Sequence, residues 1–339
     1  MKCSIDEVTQ ELNRILGNKY YFVGGMVRDI LLGRPINDID CCTPHNPDEV
    51  EELIKAAEKK CYNVGKRFGT LGVTVNGEKI EITTFRSEKY KPNCRKPDVE
   101  FVDDITADLS RRDFTINAIA VRPGKGYIDP TGGRLDLIKK TIRCVGKPKD
   151  RFKEDPLRLL RAARFASQLG FEINQGTFEY MCKMSPHILT VSKERWMLEL
   201  EKILLTDKPS VGLDILAQTR LLNFMFPELS LQVGYDQDSQ YHSLDLWNHT
   251  LTVVDLLPND ANLRLAGLLH DIGKPFTRTK HKKKDYSNYI DHQNLGAEIV
   301  LKYAKYLNWS KNRTDGVYEL VLNHMKDASP LKRADDQAK

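Results

Sequence analysis

The sequence has few cysteines, no long apolar run and no strong excess of charge of either sign. Its seven cysteines are an odd number without a C-x-x-C pair, so no disulfide framework is indicated, and reduced thiols are typical of the cytosol. No apolar stretch approaches the roughly 18 residues that a membrane-spanning helix needs. The opening residues, MKCSIDEVTQEL, carry acidic groups where a signal peptide needs an apolar stretch. We therefore expect a cytoplasmic protein that has no membrane partner.

The remaining composition is that of an ordinary globular protein. Hydrophobic residues make up 40% of the chain and charged residues 29%, and a length of 339 residues predicts two or three domains. The net charge of +5 and the pI of about 8.6 are mildly basic. Such a charge is compatible with a nucleic-acid partner, but many basic proteins bind none, so the motifs must decide.

The most informative stretch is YFVGGMVRDILLGRPINDID, residues 21–40. The aromatic and β-branched run at 20–23 predicts a buried strand, which two glycines end. The spacing of apolar residues at 26–32 predicts a helix, and a turn then leads into a second predicted strand at 36–42. The expected order is strand, glycine turn, helix and strand.

Asp38 and Asp40 are two residues apart on the second predicted strand. Alternation along a strand puts both carboxylates on one face, where they repel each other unless a cation lies between them. Magnesium binds one or two carboxylates together with phosphate oxygens, and a pair of such ions can promote phosphoryl transfer. Gly24 and Gly25 at a helix N-terminus let backbone N–H groups approach a phosphate, and Arg28 can add a bidentate contact. An isolated D-x-D sequence is more often a solvated turn.

Two further strands are predicted at 71–75 and 79–85, joined by an Asn-Gly turn. On the second of them, Glu81 lies on the face opposite two isoleucines, so it is a candidate third acidic group for the metal ions. The alternative is a solvent-facing glutamate on a half-exposed strand. The charged, proline-containing segment 86–97 has no periodicity and predicts a loop.

The G-G-x-V-R-D sequence followed by D-x-D resembles the nucleotidyltransferase core of the class II tRNA nucleotidyltransferase and bacterial poly(A) polymerase family. RRDFTINAIA at 111–120 is similar to a second motif of that family and implies that Arg112 reaches the nucleotide. The resemblance implies an α/β head of the polymerase beta-like nucleotidyltransferase fold, with a short mixed sheet, at residues 1–145. It also implies that the loop at 86–97 helps to switch nucleotide specificity, and its full length favours complete CCA addition.

Residues 154–170, EDPLRLLRAARFASQLG, predict one helix with acidic residues at its start and a glycine at its end. Asp155 and Arg158, three residues apart, would lie side by side on it. A carboxylate accepts from an exocyclic amine, and a guanidinium donates to ring or carbonyl acceptors. Such a pair therefore accepts cytosine and adenine and presents the wrong polarity to guanine and uracil. An ordinary intrahelical ion pair is the alternative.

EDPLRLLRAARFA closely resembles the family motif E-D-x-x-R, which implies that Asp155 and Arg158 select the base. The resemblance also implies that Arg161 and Arg164 contact the nucleotide. Three-residue steps rotate Arg164 to roughly the opposite side of the helix from Asp155, so the helical geometry favours Arg161. The resemblance makes residues 146–235 a helical neck and body that serve base selection and tRNA binding.

Amphipathic segments in the last third of the chain carry histidines, and six of the eight histidines lie at 242–324. LLHDIGKP, which contains His270 and Asp271, resembles the HD superfamily of metal-dependent phosphohydrolases. The resemblance implies an all-helical HD domain at 236–339 with His249 as a further ligand. Imidazole and carboxylate together suit a divalent transition metal better than Mg²⁺. A buried, hydrogen-bonded core histidine is the usual alternative.

The rest of that ligand set is left open by the sequence. The HD superfamily requires a late aspartate, and Asp327, Asp335 and Asp336 are available, although none lies in a recognisable motif. His292 and His324 are alternative ligands. A metal at such a site can activate water for attack on a phosphate ester.

The resemblance as a whole implies template-independent addition of CCA to the 3′ end of tRNA from CTP and ATP. Asp38 and Asp40 would hold two Mg²⁺ ions, and the HD site would act as a 3′-end phosphohydrolase.

Poly(A) polymerase is one alternative function, although Asn63 and Thr70 depart from the pattern of that group. Partial CC- or A-adding activity is another. Alternatives of another class are an HD phosphohydrolase with a regulatory nucleotide-binding head and a non-catalytic RNA-binding protein. The sequence does not predict an oligomeric state.

Overall fold

The computed structural model describes residues 4–90, 98–238, 244–281, 286–326 and 329–339. The chain divides into two compact units, Met1–Asp155 and Pro156–Lys339, each defined by the contacts among its own residues. The first unit mixes α and β structure, and the second is almost entirely helical. Among the helices in the described ranges, none combines the length and the apolar character needed to cross a membrane.

The described residues of the first unit form a mixed sheet and six α-helices. Its helices are α1 (Ile5–Leu16), α2 (Gly25–Leu31), α3 (Pro47–Ala56), α4 (Ile105–Ser110), α5 (Gly133–Ile138) and α6 (Pro148–Glu154). Its strands are β1 (Tyr21–Val23), β2 (Ile39–Thr43), β3 (Cys61–Gly65), β4 (Thr70–Val75), β5 (Glu78–Thr84), β6 (Arg86–Lys89), β7 (Asp98–Phe101), β8 (Ala120–Arg122), β9 (Gly126–Ile128) and β10 (Thr141–Ile142). Seven strands form one sheet in the order β3-β4-β5-β2-β1-β8-β9, and β6 and β7 form a separate hairpin.

One parallel pairing lies at the centre of the seven-stranded sheet. β2 and β5 run parallel, with Asp40 paired with Glu81, whereas the other described pairings of this sheet are antiparallel. A parallel pair needs a crossover, which α3, β3 and β4 supply. The turn between β4 and β5 is Asn76-Gly77, whose φ angles of 48° and 85° fit a tight hairpin turn. The predicted short mixed sheet is confirmed.

Apolar side chains of α1 and of the sheet form the core of the first unit. The stripe predicted on α1 is buried and consists of Val8, Leu12, Ile15 and Leu16. Ser4 and Glu7 form a capping box at the start of α1, and Asn46 and Glu49 do the same for α3. These caps satisfy backbone N–H groups that a helix start otherwise leaves without partners.

The second strand is shorter than the sequence predicts. It begins at Ile39 rather than at residue 36, because its pairing with β5 starts only there. Asp38 therefore lies just before the strand and is exposed. The alternation is kept, since Ile39 is buried between the two aspartates.

The segment 86–97, predicted to be a loop, begins with a strand. β6 pairs residue for residue with β7. Arg86 and Glu88 of this strand form an ion pair at 3.0 Å, a contact that the loop-like composition did not reveal. Residues 91–97 lie outside the described residues.

The second unit is a set of packed helices. They are α7 (Leu157–Leu169), α8 (Gln175–Met184), α9 (Lys193–Leu204), α10 (Pro209–Gln218), α11 (Leu221–Met225), α12 (Pro227–Ser230), α13 (Leu246–Leu256), α14 (Ala261–Leu269), α15 (Lys274–Thr277), α16 (His292–Tyr306), α17 (Lys311–Asn323) and α18 (Pro330–Gln337). Three two-residue strands complete the unit: β11 (Glu172–Ile173), β12 (Thr279–Lys280) and β13 (Ser287–Asn288). α7 packs on α9 and α10, α17 packs on α14 and α16, and α13 and α18 pack on α14.

A proline divides the helix predicted at 154–170. Pro156 disfavours a helical conformation in the residue before it, so Asp155 is extended, with φ −140° and ψ 99°, and ends α6. α7 begins only at Leu157. Asp155 and Arg158 therefore do not belong to one helix, and the helical-spacing argument for placing them side by side is wrong.

Candidate active site and metal centre

Neighbouring strands bring acidic side chains together in the first unit. Asp40 of β2 lies opposite Glu81 of the parallel strand β5. The residues on either side of each along its strand are buried, so both carboxylates lie on the other face of the sheet. Asp38 and Glu81 are exposed, whereas Asp40 is half-buried.

The pKa of Asp40 shows that three carboxylates interact. Burial, the negative charge of Glu81 and, more weakly, that of Asp38 raise the pKa of Asp40 to about 6, against the opposing charge of Arg112. One guanidinium thus faces three acidic groups. This excess of carboxylate oxygens fits hard divalent cations such as Mg²⁺.

Gly24 leaves space beside the carboxylates. Its φ is 70°, and a Cβ at this position would lie 3.0 Å from Nη1 of Arg112 and 3.7 Å from Oδ2 of Asp40. The glycine turn, the arginine and the aspartate therefore border one small space. Gly25 begins α2, and Nη2 of Arg28 lies 3.5 Å from where a Cβ of Gly25 would be.

Other side chains hold both arginines in place. Arg28 donates to the two carboxylate oxygens of Asp29 and to Oδ1 of Asn117, each at 2.9 Å. Arg112 donates to Oδ2 of Asp108 at 3.1 Å. The buried Nε of Arg112 has no hydrogen-bond partner among the described residues. Arg112 thus keeps a buried donor for which a ligand is the natural partner.

Asp108 is the centre of a buried ion network that sequence reasoning missed. It pairs with Arg111 at 2.7 Å as well as with Arg112. Burial opposes its ionisation, but the two guanidinium groups outweigh burial and lower the pKa of Asp108. Arg111 also pairs with Glu88 of β6 at 2.8 Å. The network therefore links the β6–β7 hairpin to Arg112.

The arginines of α7 lie in the second unit. Arg158, in the first turn, is buried, and Arg161 and Arg164 are half-buried. Nε of Arg164 is 2.7 Å from Oε2 of Glu199 in α9, and its guanidinium lies 4.1 Å from the ring centre of Phe165. Arg161 lies 5.3 Å from the same ring centre. Arg164 is thus engaged in contacts within the helical unit.

Histidines and aspartates converge in the second unit. The Nε2 atoms of His249 in α13 and His270 at the end of α14 are 3.4 Å apart. Nε2 of His270 is 3.2 Å from Oδ2 of Asp271, and Nε2 of His249 is 3.1 Å from Oδ1 of Asp335 in α18. All four side chains are buried, and one ligand atom of each lies within 4.8 Å of the others. This mixed nitrogen and oxygen set fits a divalent transition metal.

Two more histidines lie on the other side of Asp271. Nε2 of His292 is 3.2 Å, and Nε2 of His324 is 3.6 Å, from Oδ1 of Asp271. The two nitrogens are 3.2 Å apart. These histidines, expected as alternative ligands, form a second group around the shared aspartate.

Of the late aspartates that the sequence left open, Asp335 lies in the cluster with His249, His270 and Asp271. Burial opposes its ionisation, but a hydrogen bond with His249 and the charge of His270 hold the pKa of Asp335 below its usual range. Asp336 is exposed and pairs with lysines, and Asp327 lies outside the described residues. No motif marks Asp335, because it comes from a helix far along the chain from the other ligands.

Comparisons with known proteins found matches along most of the chain. Family models match at 20–143, described as Poly A polymerase head domain, at 170–232, described as probable RNA and SrmB-binding site of polymerase A, and at 240–337, described as HD domain. The CCA-adding enzyme of Bacillus pumilus is 44% identical over 340 residues, which cover 95% of this chain and 82% of that enzyme. The chain belongs to the CCA-adding enzyme family.

Other members of the CCA-adding enzyme family match over different lengths. The Bacillus subtilis enzyme is 44% identical over 206 residues, 60% of this chain, and the chain spans about half of its length, 51%. The crystal structure of the Bacillus stearothermophilus CCA-adding enzyme in complex with CTP has a TM-score of 0.68 at 28% identity, covering 100% of this chain and 82% of that one.

A tRNA nucleotidyltransferase complexed with a primer tRNA and an incoming ATP analog has the same fold. Its TM-score is 0.68 at 21% identity, over 98% of this chain and 94% of that one. The CCA-adding enzyme family predicted from the sequence is confirmed. The predicted order of an α/β head followed by helices and an HD domain is confirmed as well.

We expect Asp40→Asn to stabilise the metal-free first unit at neutral pH. The folded pKa of Asp40 is raised from 3.8 to about 6, so ionisation destabilises the fold, with no penalty below pH 3.8 and the full penalty above about pH 6. An amide cannot ionise, so scanning calorimetry in EDTA at pH 7.5 should show a gain of up to about 3 kcal/mol, which vanishes near pH 4.

Asp38→Asn is the matched control for this measurement. Asp38 is exposed, so its substitution should change stability by less than about 0.5 kcal/mol. A melting temperature of Asp40→Asn below that of the parent at pH 7.5 would contradict the assigned electrostatics.

Proposed function

We propose that the protein adds CCA, without a template, to the 3′ end of tRNA, using CTP and ATP. The observation that carries this proposal is the cluster of Asp38, Asp40 and Glu81 beside the Gly24 turn and Arg112 in the first unit. The CTP and primer-tRNA complexes of the similar structures support it. We assign the head to residues 1–145, the neck and body to 146–235 and the HD domain to 236–339.

The acidic cluster is suited to hold Mg²⁺. Asp38 and Asp40 would be the main ligands, with Glu81 as a third acidic group. When bound, the ions would lower the barrier to attack by the 3′-hydroxyl and stabilise the departing pyrophosphate. Arg112 can donate its buried Nε to a phosphate or sugar oxygen.

The glycine turn and Arg28 would position the triphosphate. The backbone N–H groups at Gly24 and Gly25 are accessible to phosphate because no Cβ is present. The contacts of Arg28 with Asp29 and Asn117 orient its guanidinium, which reduces the entropy lost when a ligand binds.

Base selection is assigned to Asp155 and Arg158 from their hydrogen-bonding chemistry. Cytosine and adenine each offer an amine to a carboxylate and an acceptor to a guanidinium, whereas guanine and uracil offer the opposite polarity. Arg161 is proposed as a triphosphate contact and Arg164 as a second one, although Arg164 pairs with Glu199.

A second activity is favoured by the histidine and aspartate cluster of the second unit. His249, His270, Asp271 and Asp335 would hold a divalent transition metal. A phosphorylated 3′ end is the substrate class that connects this site with tRNA processing. The proposed reaction is hydrolysis of a phosphate ester, with water as the second reactant.

Poly(A) polymerase and partial CC- or A-adding activity remain the alternative functions of the head. Asn63 and Thr70 do not fit the poly(A) polymerase pattern.

An incorporation assay distinguishes these functions. Its substrates are tRNAs that lack one, two or three 3′-terminal nucleotides, and each NTP is supplied separately. Poly(A) polymerase would extend every substrate with ATP alone. Phosphatase activity without any incorporation would favour a regulatory head, and tRNA binding without either activity would favour a non-catalytic RNA-binding protein.

Replacing Asp38→Ala together with Asp40→Ala should abolish incorporation while tRNA binding persists. Loss of the metal site should slow the reaction by roughly a thousandfold or more, because metal charge contributes several kcal/mol and about 1.4 kcal/mol is tenfold in rate. The measurement is single-turnover incorporation of CTP. Asp48→Ala with Glu52→Ala, two exposed acids of α3, is the control for lost negative charge. Full activity in the first double variant would exclude this metal site.

Arg158→Ala should weaken discrimination between nucleotides. The ratio of CTP to UTP incorporation should fall roughly 10- to 100-fold, since an unpaired buried polar group costs about 1–3 kcal/mol. Arg161→Ala is the comparison variant, because loss of a triphosphate contact should slow all four nucleotides equally. An unchanged ratio in Arg158→Ala would remove Arg158 from base selection.

His270→Ala should remove phosphohydrolase activity and leave CTP incorporation intact. The substrates are a 3′-phosphorylated RNA oligonucleotide and p-nitrophenyl phosphate, measured after loading with Mn²⁺. His187→Ala, at an exposed histidine, is the control. Phosphate release that persists in His270→Ala at the parental rate would assign the activity elsewhere.

A further inference from the structure

Two arginines reach the glycine turn of the first unit from different elements. Nη1 of Arg112 lies 3.0 Å from where a Cβ of Gly24 would be, and Nη2 of Arg28 lies 3.5 Å from where a Cβ of Gly25 would be. Arg28 belongs to α2, whereas Arg112 follows α4. Like charges repel, so two guanidinium groups that meet at one turn need a neighbour that fixes their positions.

Asn117 contacts both of these guanidinium groups. Its Oδ1 accepts a hydrogen bond from Nη1 of Arg28 at 2.9 Å, and its backbone oxygen accepts one from Nη1 of Arg112 at 3.5 Å. Asn117 is buried, with 6% of its surface exposed. It lies near the end of RRDFTINAIA, a segment in which the sequence singled out only Arg112.

Asp113 fixes which end of the Asn117 amide faces Arg28. Nδ2 of Asn117 donates to Oδ1 of Asp113 at 3.2 Å, and the same oxygen accepts from the backbone N–H of Phe114 at 2.8 Å. A carboxylate oxygen accepts and a guanidinium only donates. The amide therefore has one satisfactory orientation, in which its oxygen faces Arg28 and its nitrogen faces Asp113.

The short turn that carries Asn117, Thr115–Asn117, is held by α5. Oγ1 of Thr115 donates to Oδ2 of Asp136 in α5 at 2.6 Å. A Cβ on Gly133, the first residue of α5, would lie 2.1 Å from the carbonyl oxygen of Thr115. A side chain at this position would push the turn away, so the glycine sets the place of Asn117.

We propose that Asn117 is a positioning residue for the triphosphate of the incoming nucleotide. It orients Arg28 through its side chain and Arg112 through its backbone oxygen, and α5 holds it in place. This rests on the nucleotide site proposed above for the head and adds a residue that acts only through other side chains. An asparagine that merely stabilised the fold would not change the affinity for nucleotides.

The first test compares Asn117→Ala with the parent chain. The substitution removes the contact with Arg28 and keeps the backbone oxygen that faces Arg112. Calorimetric titration with CTP and with ATP should show both dissociation constants rise roughly 10-fold, the size of a lost hydrogen bond to a charged group. The value of kcat at saturating CTP should fall less than about threefold, and the ratio of CTP to UTP incorporation should stay the same, because the contact serves the phosphates.

A double variant tests whether Asn117 acts through Arg28. Arg28→Ala alone should weaken CTP binding, and adding Asn117→Ala to it should change the dissociation constant less than about twofold. Asn13→Ala, at an exposed position of α1, is the control and should bind CTP as the parent does. Circular dichroism and tRNA binding check that each variant is folded.

Asn117→Asp tests the orientation of the amide by pH. The new carboxylate would lie beside that of Asp113, and two adjacent carboxylates cannot readily both ionise. When protonated, the new side chain donates to Asp113 as the amide did. When ionised, it loses that donor and neutralises Arg28. The dissociation constant for CTP, relative to the parent at the same pH, should be roughly 10-fold higher at pH 8.5 and should approach the parental value near pH 6.

A parental affinity for CTP in Asn117→Ala would overturn the proposal. Additive losses in the double variant with Arg28→Ala would overturn it as well. If Asn117→Ala does not fold, Asn117→Asp decides, and an equal ratio at both pH values would then refute the role of Asn117. Because binding is measured apart from incorporation, a parent that binds CTP without incorporating it would refute the proposed function and still allow Asn117 to be tested.

Discussion

The parallel pairing of β2 with β5 is the constraint on which the chemistry of the first unit depends. It sets Asp40 opposite Glu81, and a slip of one residue would turn one of them to the other face. Ile39 and Ile80, which pair in the same register, are buried and resist such a slip. The apolar face of the sheet therefore determines where negative charge collects on the opposite face. The raised pKa of Asp40 is the electrostatic consequence of a register that hydrophobic packing fixes.

Features whose geometry is set within about ten residues could be predicted from the sequence. They include the glycine turn with its helix, the Asn-Gly hairpin, the buried stripe of α1 and the His-Asp pair at 270–271. Pro156 was visible in the sequence, but a good helical pattern around it concealed the break that it causes. Asp335 could not be singled out from the other late aspartates, because only packing of α18 on α13 and α14 brings it to the histidines. The ion pair between Arg111 and Glu88, which ties the network of Asp108 to β6, was hidden for the same reason, since these two residues are 23 positions apart in the chain.

The two acidic clusters offer different ligand types to a cation. The first unit collects carboxylate oxygens near the surface, where solvent and phosphate oxygens can complete the coordination of a hard ion. The second unit collects imidazole nitrogens and carboxylate oxygens in a buried place, a ligand set that suits a transition metal. Ligand type would thus direct a hard ion to the first cluster and a transition metal to the second.

Metal binding at the buried cluster would be linked to folding of the second unit. His249, His292 and Asp335 come from three different helices, with His270 and His324 at the ends of two more, so the ligands meet only when these helices have packed. Packing of these helices also buries the carboxylates of Asp271 and Asp335, and Lys274 pairs with one oxygen of Asp271 at 2.7 Å. Ions that bind only the packed state lower the free energy of that state in proportion to their affinity and concentration. The apolar contacts of the helical unit therefore enclose a polar centre whose negative charge a bound cation would balance.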